Sequence, residues 1–114
     1  GVEPMSSAVV SGGEPGPHNI PGRGAGFVPG ILDPTDLAGV LKVRALDAAK
    51  GVQWLAKHGS VCGGPAAGAV IHAARELAQE ARFADRIIVA ILPDSGERYV
   101  EHPAYQSPVE AEEP

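Results

Sequence analysis

The 114-residue sequence has few aromatic residues, one cysteine and no long hydrophobic run. The lone Cys62 has no partner for an internal disulfide, which favours a reducing compartment and predicts a cytoplasmic protein. The longest apolar run, residues 87–92, is far shorter than the roughly 18 residues that a membrane span needs. The net charge is −5 and the nine basic residues are scattered. We therefore expect binding neither to a membrane nor to nucleic acid.

Glycine and proline are concentrated in residues 11–34, which predict a long ordered loop. Loops of this length in a compact domain are usually functional or disordered. Composition alone would favour a flexible linker. The apolar residues within the segment, such as Phe27 and Val28, weigh against that alternative because linkers rarely carry them.

The remainder of the chain alternates strand and helix patterns. The predicted elements are a strand over 39–44, a helix over 46–57 ending at His58-Gly59, a short strand or turn over 60–64, a helix over 65–82 and a strand over 86–92. The last run is continuously apolar, which is typical of a strand buried on both faces of a parallel sheet. The order predicts an α/β fold. With only two or three strands, we expect this fold to be incomplete by itself.

Three patterns in the sequence are superficially similar to functional sites, but the residues favour a structural explanation for each. The stretch Gly22-Arg23-Gly24-Ala25-Gly26-Phe27 approximates a dinucleotide-binding loop, but its third glycine comes one place early and no strand precedes it. A tight glycine turn explains it better. The four histidines lack metal-ligand spacing, so we predict no metal site, and His72 suits a structural role. Residues 107–114 predict a solvated acidic tail rather than an acid–base pair.

Four segments resemble the cysteine synthase family, also called O-acetylserine sulfhydrylase. The segment "SGGEPGPHNIPGRGAGFVP" at 11–29 is similar to the family's "SGG-x-PGPH-x-I-x-G-x-GAGFVP", and "IVAILPDSGERY" at 88–99 to its "IVVILPDSGERY". Residues 1–9 resemble "VEP-x-x-SAV", the end of a sheet strand. Residues 59–74 resemble "G-x-L-V-G-x-SSGAA", although alanines replace the two serines. The resemblance as a whole extends over residues 1–106.

The resemblance implies the C-terminal portion of a fold type II pyridoxal-phosphate enzyme domain over 1–106, followed by the tail at 107–114. It also implies that Gly22, Gly24 and Gly26 line the substrate cleft, with His18 organising the loop.

The resemblance further implies a cofactor-binding turn. Pro93 and Asp94 are expected near the pyridine edge of pyridoxal 5'-phosphate. In the family, a serine bonds the ring nitrogen, and the aligned position here is Ala66 or, with the gap placed later, Pro65. Neither side chain can donate or accept a hydrogen bond, so the copy is expected to be weakened or no longer enzymatic.

The function implied is a fragment of an enzyme that makes L-cysteine from O-acetylserine and sulfide. This sequence lacks three features of the family: the Schiff-base lysine in an "S-x-K-D-R" stretch, the "TSGNTG" loop and the phosphate-binding loop. No catalytic residue is therefore assigned, and the isolated chain is predicted to be inactive. The full-length parent is expected to be a homodimer. The alternatives are a cystathionine β-synthase-like fragment, which "CGG" at 62–64 would allow, and a non-catalytic homologue that binds serine acetyltransferase.

Overall fold

The computed structural model describes residues 1–21 and 24–99 and confirms the predicted α/β class. Its regular elements are strand β1 (Val2–Pro4), strand β2 (Leu41–Val43), helix α1 (Ala45–Trp54) and helix α2 (Pro65–Ala78). A π-helical turn, Leu55–Gly59, continues α1, and short 3-10 turns cover Met5–Ser7, Pro34–Asp36, Ala81–Phe83 and Gly96–Tyr99. Among the described residues, no helix is long and apolar enough to cross a membrane.

The sheet consists of β1 and β2, which pair in parallel with Val2 opposite Leu41 and Pro4 opposite Val43. Both strands are only three residues long. Because so short a pair cannot persist alone in water, the sheet depends on the helices that pack against it. Helix α2 supplies that support, since it contacts both strands.

The core joins the sheet, both helices and the glycine-rich loop. Its buried members are Ile20, Val43, Ala48, Ala69 and Ala73. Ile20 is 1% exposed although it belongs to the predicted loop. The apolar residues Phe27 and Ile31, at 61% and 101% exposure, contribute nothing to this core. The described part of the loop is therefore anchored through Ile20 rather than through its apolar block.

Helices α1 and α2 approach so closely that their backbones touch at Gly51 and Gly68. A Cβ atom built on Gly51 would overlap the carbonyl group of Gly68 and lie 2.9 Å from its Cα. One built on Gly68 would overlap the Ala48 carbonyl oxygen and lie 2.7 Å from Val52 Cγ2. Only glycine at both positions permits this crossing.

Asp47, at the first turn of α1, links the two helices electrostatically. Arg44 donates to its carboxylate from Nε at 2.8 Å and from a terminal nitrogen at 3.2 Å, and His72 of α2 lies 3.9 Å away. Burial alone raises the pKa of Asp47, but the Arg44 hydrogen bond and the charges of His72, Arg44 and Lys50 outweigh it and lower that pKa. This position near a helix N-terminus also suits a negative charge.

Several predicted boundaries shift in the structure. Helix α2 ends at Ala78 rather than at Arg82, and the turn Ala81–Phe83 follows it. In the predicted short strand over 60–64, only Gly63 forms a bridge, with Ser95. The end of α1 lies near the predicted stop, although Ser60, with φ 53°, adopts the left-handed conformation rather than Gly59.

The prediction of a buried strand over 86–92 is wrong for the described structure. No strand is assigned there, and Ile87, Val89 and Ile91 are 94%, 85% and 78% exposed. Apolar composition indicated that the run needs a partner on both faces, whereas the described residues cover only one. The predicted acidic tail at 107–114 lies outside the described residues.

Candidate functional site

The first part of the candidate site is the glycine-rich loop, which β1 and the turn after it hold in place. The Glu3 carboxylate is 4% exposed and accepts hydrogen bonds from the backbone N–H groups of Val10 and Ser11 at 2.9 and 3.0 Å. The Ser11 hydroxyl donates to the same carboxylate. The buried hydroxyl of Ser7 accepts from the Gly16 N–H at 3.2 Å. Neither anchor is predictable from the sequence, because no local pattern connects residues 3 and 7 with the loop.

His18 organises the next part of the loop, as predicted. Its Nδ1 accepts the backbone N–H of Ile20 at 3.2 Å, and its Nε2 lies 2.9 Å from the Gly24 carbonyl oxygen. Since a carbonyl oxygen only accepts, these partners assign the tautomer with the proton on Nε2. The imidazole therefore ties Ile20, a core residue, to Gly24.

Gly24 and Gly26 adopt left-handed backbone conformations, with φ of 69° and 84°. Gly24 packs against other residues of this chain: a Cβ built on it would lie 2.8 Å from Pro4 Cγ and 2.9 Å from His18 Nε2. At Gly26 the nearest atom, Pro15 Cβ, would be 3.9 Å away. Gly24 is thus required by packing within the chain. Gly22, the remaining predicted cleft residue, lies outside the described residues.

We expect Gly24→Ala to lower the free energy of unfolding by about 1–2 kcal/mol, because the left-handed conformation and the contact with Pro4 both oppose a methyl group. Urea unfolding followed by circular dichroism measures this loss. Faster amide hydrogen exchange at Ile20 should accompany it, since the displaced imidazole no longer accepts that N–H.

Gly12→Ala is the matched control for this prediction. Gly12 has φ 90°, but nothing lies within 4 Å of the position that an added methyl group would take, so this variant isolates the backbone strain. Equal losses in the two variants, with Ile20 exchange unchanged, would show that the contacts with Pro4 and His18 do not matter.

The second part of the candidate site is the N-terminus of α2, where the structure brings Ala66 and Asp94 together. The Asp94 carboxylate accepts from the backbone N–H of Ala66 at 3.0 Å and from that of Ala67 at 2.8 Å. These amides occupy the second and third helical positions, whose N–H groups have no partner within the helix. Asp94 therefore caps α2 from a distance of 28 residues along the chain.

Main-chain hydrogen bonds also join the segment before α2 to the segment that contains Asp94. The Gly64 N–H donates to the Asp94 carbonyl oxygen at 3.2 Å, and the Gly96 N–H to that of Cys62 at 2.9 Å. A Cβ on Gly64 would overlap the Asp94 carboxylate, so a side chain at this position would displace that carboxylate from the amides it caps. Pro93 precedes the junction and is exposed. The atoms nearest to a Cβ built on Gly24 or Gly26 belong to Pro4, His18 and Pro15 and not to this turn.

The other histidines and possible metal ligands do not form a further candidate site among the described residues. His72 pairs with Glu76 at 3.0 Å, and His58 lies 3.2 Å from the Trp54 carbonyl oxygen, so both have structural partners. Within residues 1–21 and 24–99, no group of three or more His, Cys, Asp or Glu side chains could hold a metal ion.

Comparisons with known proteins find relatives along most of the chain. A cysteine synthase of Staphylococcus aureus is 40% identical over 104 residues, which are 91% of this chain and 33% of that protein. The crystal structure of a cysteine synthase from Entamoeba histolytica superposes with a TM-score of 0.93 at 34% identity, over 97% of this chain and 33% of its own.

An O-acetylserine-dependent cystathionine β-synthase from Helicobacter pylori has a TM-score of 0.79 at 33% identity and covers 92% of this chain and 34% of its own. No protein-family model matches the chain. The chain thus spans about a third of the length of the relatives it matches, and it aligns with their C-terminal part.

Proposed function

By sequence and by structure the chain is a homologue of the C-terminal part of the cysteine synthases, and from this relationship we propose that it forms the C-terminal third of an enzyme that makes L-cysteine from O-acetylserine and sulfide. The supporting observation is that the match extends over 91% of the chain in sequence and 97% in structure. The proposed protein is cytoplasmic and, at full length, a pyridoxal-phosphate-dependent homodimer.

In this proposal the two parts of the candidate site have different roles. Gly24 and Gly26, together with Gly22, form one wall of the substrate cleft, and the hydrogen bonds of His18 hold that wall in shape. Ala66, Pro93 and Asp94 border the cofactor. The contact between the Asp94 carboxylate and the Ala66 amide supports placing these last residues at one site.

The described residues at the cofactor turn fit the ring nitrogen of pyridoxal phosphate poorly. Ala66 presents a methyl group, is 2% exposed, and has its N–H bonded to Asp94. The neighbouring amide of Ala67 is bonded to the same carboxylate. Neither alanine therefore offers a free N–H or side-chain polar group to that nitrogen.

The isolated chain is expected to form no specific Schiff base with added pyridoxal phosphate. Its three lysines lie in unsuitable places: Lys42 in β2, Lys50 in α1 and Lys57 in the π-helical turn. Titration with the cofactor, borohydride reduction and mass spectrometry measure the adduct at each lysine. We expect only slow, non-saturating modification and no cysteine from O-acetylserine and sulfide.

A Lys→Arg variant at each of the three positions is the control for that titration. A saturable absorbance band with one adduct per chain, abolished by one of these substitutions, would contradict the proposed inactivity of the isolated chain.

A chimera tests the proposed activity of the complete enzyme. It joins the N-terminal two thirds of the S. aureus cysteine synthase to this chain. We expect cysteine formation above background, and a higher kcat in the Ala66→Ser form, because a hydroxyl would restore a hydrogen-bonding group beside the cofactor. Folded chimeras that are inactive in both forms would contradict the enzymatic proposal.

The apolar turn at Ala66 specifically favours a second candidate, a non-catalytic homologue that binds serine acetyltransferase. An inactive chimera that still binds this partner would support it. The H. pylori relative favours a third, a cystathionine β-synthase-like fragment. Homocysteine replacing sulfide as the preferred acceptor of the chimera would support that candidate.

A further inference from the structure

His72 faces two carboxylates at the contact between α1 and α2. Its Nε2 lies 3.0 Å from Glu76 Oε1, one turn further along α2, and 3.9 Å from Asp47 Oδ2 in the first turn of α1. The side chains of His72 and Asp47 are 21% and 12% exposed, so water screens their interaction only in part. At 3.9 Å this contact is too long for a hydrogen bond and depends on charge. A neutral imidazole can donate to Glu76, whereas the imidazolium also attracts Asp47.

Asp47 and His72 flank the close crossing of the two helices. Asp47 precedes Gly51 by one turn of α1, and His72 follows Gly68 by one turn of α2, so each shares a helix face with its glycine. A Cβ built on Gly51 would lie 2.9 Å from the Cα of Gly68. Attraction between the imidazolium and the Asp47 carboxylate therefore acts on the same contact in which the two backbones touch.

The other charged groups around this contact do not replace His72 between the two carboxylates. Arg44 donates to Asp47 at 2.8 and 3.2 Å, and the charge of Lys50 also acts on Asp47. Among the described residues, Asp47 and Glu76 are the carboxylates that face His72. Further charged side chains on α2 and on the elements that contact it have other surroundings: Arg75 lies over the Trp54 ring, Glu3 of β1 accepts from Val10 and Ser11, Lys42 of β2 is exposed, and Arg82 pairs with Glu80.

We propose that His72 is a proton-dependent link between α1 and α2, formed when its imidazolium attracts both Asp47 and Glu76 and weakened when the ring is neutral. Histidine side chains change charge between about pH 5 and 8, so the stabilisation is present at the lower pH and is lost as the pH rises. Its acid limit is protonation of Asp47. Burial raises the pKa of Asp47, but the Arg44 hydrogen bond and the nearby positive charges outweigh it, so this limit lies below the ordinary value of 3.8. The link concerns the helix crossing and is independent of whether the full-length protein makes cysteine.

Thermal unfolding of the wild-type chain and of His72→Gln, at about pH 5.5 and about pH 8, measures the link. Glutamine keeps a hydrogen-bonding group but never carries a charge. We expect the loss of Tm in this variant to be about 2–4 °C larger at the lower pH. The shift is modest because Glu76 is 59% exposed and its ion pair is screened by water. In the Glu76→Gln and Asp47→Asn backgrounds the difference between the two pH values should shrink, since each removes one of the charges that the imidazolium attracts.

Glu80→Gln is the matched control, because Glu80 pairs with Arg82 and not with a histidine. It should leave the pH dependence of the His72→Gln effect unchanged, and an equal reduction by this variant would indicate a general charge effect and contradict the link. Equal Tm losses in His72→Gln at both pH values would show that the ring only packs. A difference that persists in full without either carboxylate would also overturn the proposal. If Asp47→Asn does not fold, the comparison of Glu76→Gln with Glu80→Gln decides, since both replace exposed side chains.

Discussion

Gly68→Ala is expected to lower the free energy of unfolding by about 2–3 kcal/mol, although alanine is intrinsically the better helix former. Replacing glycine by alanine within a helix ordinarily gains about 1 kcal/mol. Here the added methyl group would overlap the Ala48 carbonyl oxygen and lie 2.9 Å from the Val52 nitrogen. These are backbone atoms of α1, so the overlap can be removed only if the two helices separate. Overpacking of this kind costs more free energy than the higher helix propensity of alanine contributes.

Urea unfolding, followed by circular dichroism at 222 nm, measures this effect. Gly30→Ala is the matched control, because nothing lies within 4 Å of its Cβ position, and it should change stability by less than about 0.5 kcal/mol. Gly51→Ala should resemble Gly68→Ala. The double variant should lose less than the sum, since helices already separated have room for the second methyl group. Unchanged stability in Gly68→Ala would contradict the described helix crossing.

Local pattern is sufficient to predict the elements on which this crossing depends. The apolar period over 46–57 and 65–82 predicts both helices, and the alternation in 39–44 predicts β2. The contact itself is not predictable, because glycine within a helix also occurs without a partner. Only the spatial proximity of Gly51 and Gly68 shows why each position needs glycine.

Sequence reasoning is least successful where the partner of a residue is distant along the chain. Apolar composition indicates a buried strand over 86–92, but burial depends on what covers the segment, and the described residues leave Ile87 exposed. Ile20 is the opposite case, a buried residue whose burial the sequence does not predict. An isolated isoleucine in a glycine-rich loop belongs to no periodic apolar pattern. The cap from Asp94 is likewise invisible, because its two amides lie 27 and 28 residues away.

Asp94→Ala should destabilise the chain by about 2–3 kcal/mol, because one carboxylate satisfies two amides at the start of α2. Ala66 and Ala67 are 2% and 0% exposed, so water cannot readily replace the lost acceptor. Loss of a helix cap typically costs about 0.5–2 kcal/mol, and leaving a buried donor unsatisfied costs about 1–3 kcal/mol. Thermal unfolding and the exchange rates of the Ala66 and Ala67 amides together measure the effect.

Asp94→Asn should fall between the wild type and Asp94→Ala. Its side-chain oxygen can still accept from one amide, but its NH₂ group would face the other, and the favourable charge at the helix N-terminus is lost. Asp85→Ala, which removes an exposed carboxylate, controls for the change in net charge. Equal stability of Asp94→Ala and Asp85→Ala would contradict the cap. Faster exchange of the Ala66 and Ala67 amides in the Asp94 variants alone would show that the carboxylate accepts from both N–H groups in solution.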